Sequence, residues 1–115
     1  MPVIKYDSIK SAPVEMEGVV DAAKAVVIGK DEGWPDHTLR VFTLGPNGHT
    51  PRHSHDWEHF NYVIKGKGRL TIGSETHEIA EKDFAVVPSN AEHQFENPYD
   101  DDFQFICIVP NRGEY

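Results

Sequence analysis

The run His53-Ser-His55-Asp-Trp57-Glu58-His59 constrains the fold of this chain more than any other stretch. In an extended chain alternate side chains share a face, so His53, His55, Trp57 and His59 fall on one side. A helix would send positions i and i+2 to different faces. The following residues, FNYVIK at 60–65, are rich in aromatic and β-branched side chains, so the spacing predicts a strand with three imidazoles on one face. On the inner side of a curved sheet those rings can meet at one ion, and imidazole suits Zn, Cu, Fe and Ni best. The competing reading is a polar strand facing solvent; matched parity at three positions counts against it.

The rest of the chain reads as short strands separated by glycine and proline turns. Residues 1–24 form an N-terminal arm that opens on the strand-like pair Val3-Ile4 and carries Pro13 and Gly18. DAAKAVVIG, ending at Gly29, fits a helical turn or a strand, and Ala-Val-Val-Ile before a glycine favours strand. Residues 30–37 form a loop, 38–44 a strand, and Gly45-Pro-Asn-Gly48 a turn. The spacing predicts a hairpin turning at Gly66 and a second tight turn at Gly73-Ser-Glu-Thr. Phe84-Ala-Val-Val reads as a short buried strand stopped by Pro88. His93, Phe95 and Asn97 alternate onto one face, as do Phe103, Phe105, Cys107 and Val109 in the last strand, 103–110. Such a series of strands without a long helix predicts an all-β sandwich or barrel.

At 115 residues the chain is expected to be one domain, 1–115, with a barrel core at 25–110. A net charge of −8 argues against a nucleic-acid partner or an anionic membrane. A single cysteine excludes an internal disulfide and fits a reducing compartment. The first residues lack the apolar core of a signal peptide, and no apolar run approaches the roughly 20 residues of a membrane span. A soluble cytoplasmic protein is the expectation.

Two motifs carry a family likeness. The first reads Gly48, His53-Ser-His55, His59, Gly66; the second reads Pro88-Ser-Asn90-Ala-Glu-His93-Gln-Phe-Glu-Asn97. In that order they resemble the paired motifs of a small single-domain cupin, a double-stranded β-helix or jelly-roll barrel. There are departures. The gap from Gly48 to His53 is one residue short, Lys82 and Asn90 stand where the second motif usually has glycine, and His59 fills a ligand slot more often held by Glu. Asn tolerates positive φ, so the turn at Asn90 survives. Glu58 is one residue too early, with parity away from the other ligands, unless a local bulge swings it inward. The pattern is similar to small cupins that hold manganese with four histidines.

The resemblance implies one divalent metal on His53, His55, His59 and His93. It favours Mn or Fe, whereas imidazole chemistry favours Zn, Ni or Cu. Four neutral ligands leave the ion's +2 charge uncancelled, which makes it a strong Lewis acid that favours anionic ligands. Trp57 and Phe95 share parity with the ligands and line either a pocket or ordinary core. Phe105 and Cys107 border the cavity if the last strand's apolar face points inward. Arg40 pairs with a substrate anion if it points inward and is a surface charge if it points outward. The expected function is a metal-dependent oxidoreductase of dioxygenase or peroxygenase type on a small organic molecule. The alternatives are a non-redox isomerase or lyase, or a non-catalytic small-molecule or metal-binding module. The resemblance also implies a homodimer.

Overall fold

The computed structural model describes residues 3–114. Nine strands follow in order: β1 (Ala12–Pro13), β2 (Val20–Ile28), β3 (His37–His49), β4 (His59–Lys65), β5 (Lys67–Ile72), β6 (Glu75–Ala80), β7 (Phe84–Val87), β8 (His93–Glu96) and β9 (Phe103–Pro110). All pairings among them are antiparallel, in the order β6-β5-β8-β3-β9-β4-β7, with β2 on β3 and β1 on β2. The sheet curls on itself, and the fold is the all-β jelly roll expected from the strand pattern. No helix among the described residues is long and apolar enough to cross a membrane.

The apolar faces turn inward. In β9, Phe103, Phe105, Cys107 and Val109 are buried, alternating with half-buried neighbours as the sequence predicts. Phe105 stacks on Phe95 at 4.2 Å and Phe42 at 5.6 Å between ring centroids, so the three aromatic rings form one stacked cluster. The segment 20–28 is a strand, and its first residues, with β1, bring part of the N-terminal arm into the sheet.

Several local expectations are corrected. Residues 45–48 do not end a strand, because β3 runs through them to His49 with an irregularity opposite Val20 and Ala22. Gly66 does not turn a hairpin: β4 pairs with β7 and β9, whereas β5 pairs with β6 and β8. Gly66 is instead a corner at φ +73°, where a Cβ would lie 2.3 Å from the Asp102 carbonyl oxygen. A glycine at positive φ serves a corner as well as a hairpin, so local sequence could not separate them. The strand β7 is an edge, not a buried strand: Phe84 is 80% exposed and Val86 49%. Val3 and Ile4 lie outside any strand. Lys82 and Asn90 both take positive φ, at 74° and 68°, so the backbone keeps the turns without glycine.

Candidate metal centre

Only the last of the three spaced histidines lies in a regular strand. His59 opens β4, His53 makes a lone antiparallel bridge to His93, and 54–58 follow no ladder. The strand expected to begin at His53 is therefore an extended loop. Its in-and-out alternation survives nonetheless: His53, His55 and Trp57 are half-buried and His59 buried, while Ser54, Asp56 and Glu58 are exposed. Glu58 points to solvent, so no bulge brings it inward.

The four imidazoles converge from the loop, β4 and β8. His53, His55 and His93 each offer a ring nitrogen, all within 4.8 Å of one another. His59 joins them with its Nε2 3.2 Å from His93 Nε2 and its ring centroid 5.3 Å from that of His55.

The hydrogen bonds on the far side of the rings set the protonation. His55 Nδ1 lies 2.9 Å from the Trp57 carbonyl oxygen, His93 Nδ1 2.9 Å from the Ala91 carbonyl oxygen, and His59 Nδ1 2.8 Å from Asn61 Oδ1. Asn61 Nδ2 donates to the Ile106 carbonyl oxygen at 3.2 Å, which fixes the amide with its oxygen toward His59. Oxygens of this kind only accept, so each Nδ1 must donate, and each Nε2 is left with a lone pair. His59 and His93 then face each other lone pair to lone pair at 3.2 Å, an arrangement that calls for a cation between them. A proton is a poor candidate. Burial first, then the charge of His93, lowers the His59 pKa to about 3. Burial first, then His93, His55 and Arg40, lowers that of His53 to about 4. Burial also lowers that of His93. Neutral rings with inward lone pairs fit a divalent transition metal.

The cluster opens on a cavity of about 390 Å³. Trp57, Phe95, Phe105, Cys107 and Arg40 all line it. Trp57 stacks on His55 at 4.4 Å and 5° and backs onto Gly113, where a Cβ would come within 2.6 Å of the indole Nε1. Arg40, ambiguous in sequence, is buried and donates through Nη2 to Cys107 Sγ at 3.0 Å. Burial, opposed in part by Arg40, raises the Cys107 pKa and keeps the thiol protonated.

Sequence reasoning missed four contributors. Asn61 carried a readable signal, since it sits two residues after His59 on the inward face of β4 and is buried. Val14 and Met16 of the N-terminal segment line the cavity, as does Lys24 of β2; contacts this distant in sequence leave no local trace. Tyr62 and Asn97 stay away from the site: Tyr62 packs on Phe84, and Asn97 Nδ2 ties the Leu44 and Asp101 carbonyls at 2.9 and 2.8 Å.

A curled antiparallel jelly roll with converging histidines at its cavity defines the class: a β-barrel protein with a candidate metal centre. The chain matches the cupin domain family over residues 40–109 and belongs to that family. It is 34% identical over 71 residues to 1-methylthio-D-xylulose 5-phosphate methylsulfurylase of Rhodospirillum rubrum, across 62% of this chain and 46% of that protein. The chain thus spans about half the length of that curated relative. Among solved structures, the polyketide cyclase RemF of Streptomyces resistomycificus superposes with a TM-score of 0.89 at 26% identity, covering 96% of this chain and 79% of that one. A predicted oxalate decarboxylase of Thermotoga maritima superposes with a TM-score of 0.84 at 18% identity, over 95% of this chain and 98% of that one, a likeness of fold.

Proposed function

We propose that the protein is a metal-dependent enzyme acting on a small, enolisable organic molecule without net oxidation, with His53, His55, His59 and His93 as ligands. The observation that carries this reading is the anchoring of three Nδ1 atoms on oxygen acceptors, which aims the Nε2 lone pairs at one centre. A divalent ion held there supplies Lewis-acid polarisation of a substrate oxygen. Four neutral donors in a buried site favour the divalent over the trivalent state, which supports non-redox chemistry. The likeness to a protein described as a polyketide cyclase agrees with it, since aldol-type ring closure needs no oxidant. The resemblance favours Mn or Fe as the ion; the all-imidazole set also suits Zn, Ni or Cu.

The chain's own residues divide the remaining work. Asn61 holds His59 in the tautomer that presents Nε2. Trp57, Phe95 and Phe105 give the cavity apolar walls that exclude water from the substrate. The same walls support a second reading, a dioxygenase or peroxygenase-type oxidoreductase, because they would suit an aromatic substrate.

Metal analysis of the purified protein comes first. Phenols and 1,3-diketones are then followed for oxygen or peroxide uptake and for deuterium exchange at the carbon between the carbonyls. Exchange without uptake supports the proposal, uptake supports the second reading, and neither leaves a binding module. The homodimer implied by the resemblance is also carried as a proposal. Phe60, Phe84 and Val86 form the exposed apolar face that a second copy would cover. A dimeric wild type and a monomeric Phe84→Asp variant in sedimentation are the expected results.

A further inference from the structure

Arg40 sits where few arginines do. It is 4% exposed on β3, lines the same cavity as the four histidines, and is incompletely paired. Its Nη1 donates to Glu114 Oε1 at 3.3 Å, and its Nη2 meets only the weak acceptor Cys107 Sγ at 3.0 Å. Its Nε is buried without any partner. Lys24, also lining the cavity, pairs with the other oxygen of Glu114 at 3.0 Å. In a chain of net charge −8, two cations thus meet in one apolar cavity and share a carboxylate from the C-terminal segment. The only acidic residue among the described lining residues is the exposed Glu15.

A buried guanidinium this poorly paired is costly unless a ligand completes it. Its Nη1–Nη2 edge, held by Glu114 and the Cys107 sulfur, is a planar fork that fits a carboxylate in bidentate fashion. We propose that Arg40 anchors the carboxylate of an anionic, apolar-bodied substrate in the cavity, and that Glu114 occupies the Arg40–Lys24 site when no ligand is bound. The aromatic walls take the body of the molecule, and its far end faces the histidine cluster. This inference deepens the proposed function by naming a substrate class, and only the orientation of the bound molecule rests on that reading.

The test is calorimetric titration with benzoate and with its neutral, equally shaped counterpart benzamide, on metal-free and zinc-loaded protein. Metal-free wild type should prefer benzoate by about tenfold, the usual scale of a charge-assisted bidentate contact. Arg40→Gln should abolish the preference. Glu114→Gln, which removes the internal competitor from a partly exposed position, should tighten benzoate binding several-fold and leave benzamide unchanged. Equal binding of the two compounds, no benzoate binding, a preference that survives Arg40→Gln, or no effect of Glu114→Gln would each overturn the inference. The outcomes separate the two readings. Zinc uptake without a benzoate preference sinks the Arg40 site alone. A preference on metal-free protein that takes up no zinc sinks the metal centre alone.

Discussion

Mild acid is expected to destabilise the metal-free protein, and His59 sets a large part of the effect. Burial, with the nearby charge of His93, holds its folded pKa at about 3 against an ordinary 6.5. Between those values the unfolded chain binds a proton at this ring and the folded protein does not, so stability falls as pH falls from 6.5 toward 3. Each unit below 6.5 costs about 1.36 kcal/mol, so at about pH 5 the loss from His59 is roughly 2 kcal/mol. His53 acts in the same direction down to about 4, but solvent screens this half-buried ring and its share is smaller. Against a total stability of about 5–15 kcal/mol for a domain, 2 is a large fraction. The assay is urea unfolding of metal-free wild type and His59→Gln at about pH 7.5 and about pH 5. Wild type should lose roughly 2 kcal/mol more than the variant over that interval. Equal losses would show that folding does not keep His59 neutral, and the assignment of an inward lone pair to its Nε2 would fall with it.

Asn61→Leu keeps the volume but removes the oxygen that orients His59, so metal affinity in competition with a chelator should drop about 10- to 100-fold. An unchanged affinity would mean that Asn61 is only a packing residue. Lys82 sits in a turn at φ +74°, and Lys82→Gly should leave the urea midpoint unchanged or raise stability by roughly 0.5 kcal/mol, whereas glycine inside a strand lowers it.

How far the site was legible depended on whether its parts were local. Alternation from His53 to His59 survives in the burial of each side chain even though no ladder forms at 54–58, because an extended backbone alternates whether or not it is paired. The strand β9 has the bounds its apolar alternation predicts, since every second residue faces the core. Pairing is a different matter. Nothing near Gly66 says that β5 leaves β4 for β8, and nothing in Phe84-Ala-Val-Val says that its strand is an edge. The acceptors for His55 and His93 are the main-chain carbonyls of Trp57 and Ala91, which no side-chain pattern announces. Arg40 could be placed only once β3 was seen between β2 and β9.

Topology gives the histidine cluster a structural consequence as well as a chemical one. The strands β6, β5 and β8 join the rest of the sheet through β3, and the β3–β8 register consists of one residue pair, His49 with Glu96. Around that pair the backbone links are Thr50 N–H to the Phe95 carbonyl at 2.9 Å, two bonds between Asn97 and residues 47 and 48, and the isolated bridge between His53 and His93. His93 belongs to β8 and His59 to β4, on opposite sides of that narrow join. An ion gripping both rings therefore cross-links two strands that share no ladder, and ties in the loop through His53 and His55. Loading the protein with metal is expected to slow amide hydrogen exchange most in β8, in the 53–58 loop and at the start of β4. The outer strand β6, held to β5 by six register pairs and paired with no histidine-bearing strand, should change little. Protection that rose evenly over every strand would mean only that binding shifts the global unfolding equilibrium. Protection confined to the 53–58 loop would mean that His93 and His59 do not hold the ion together.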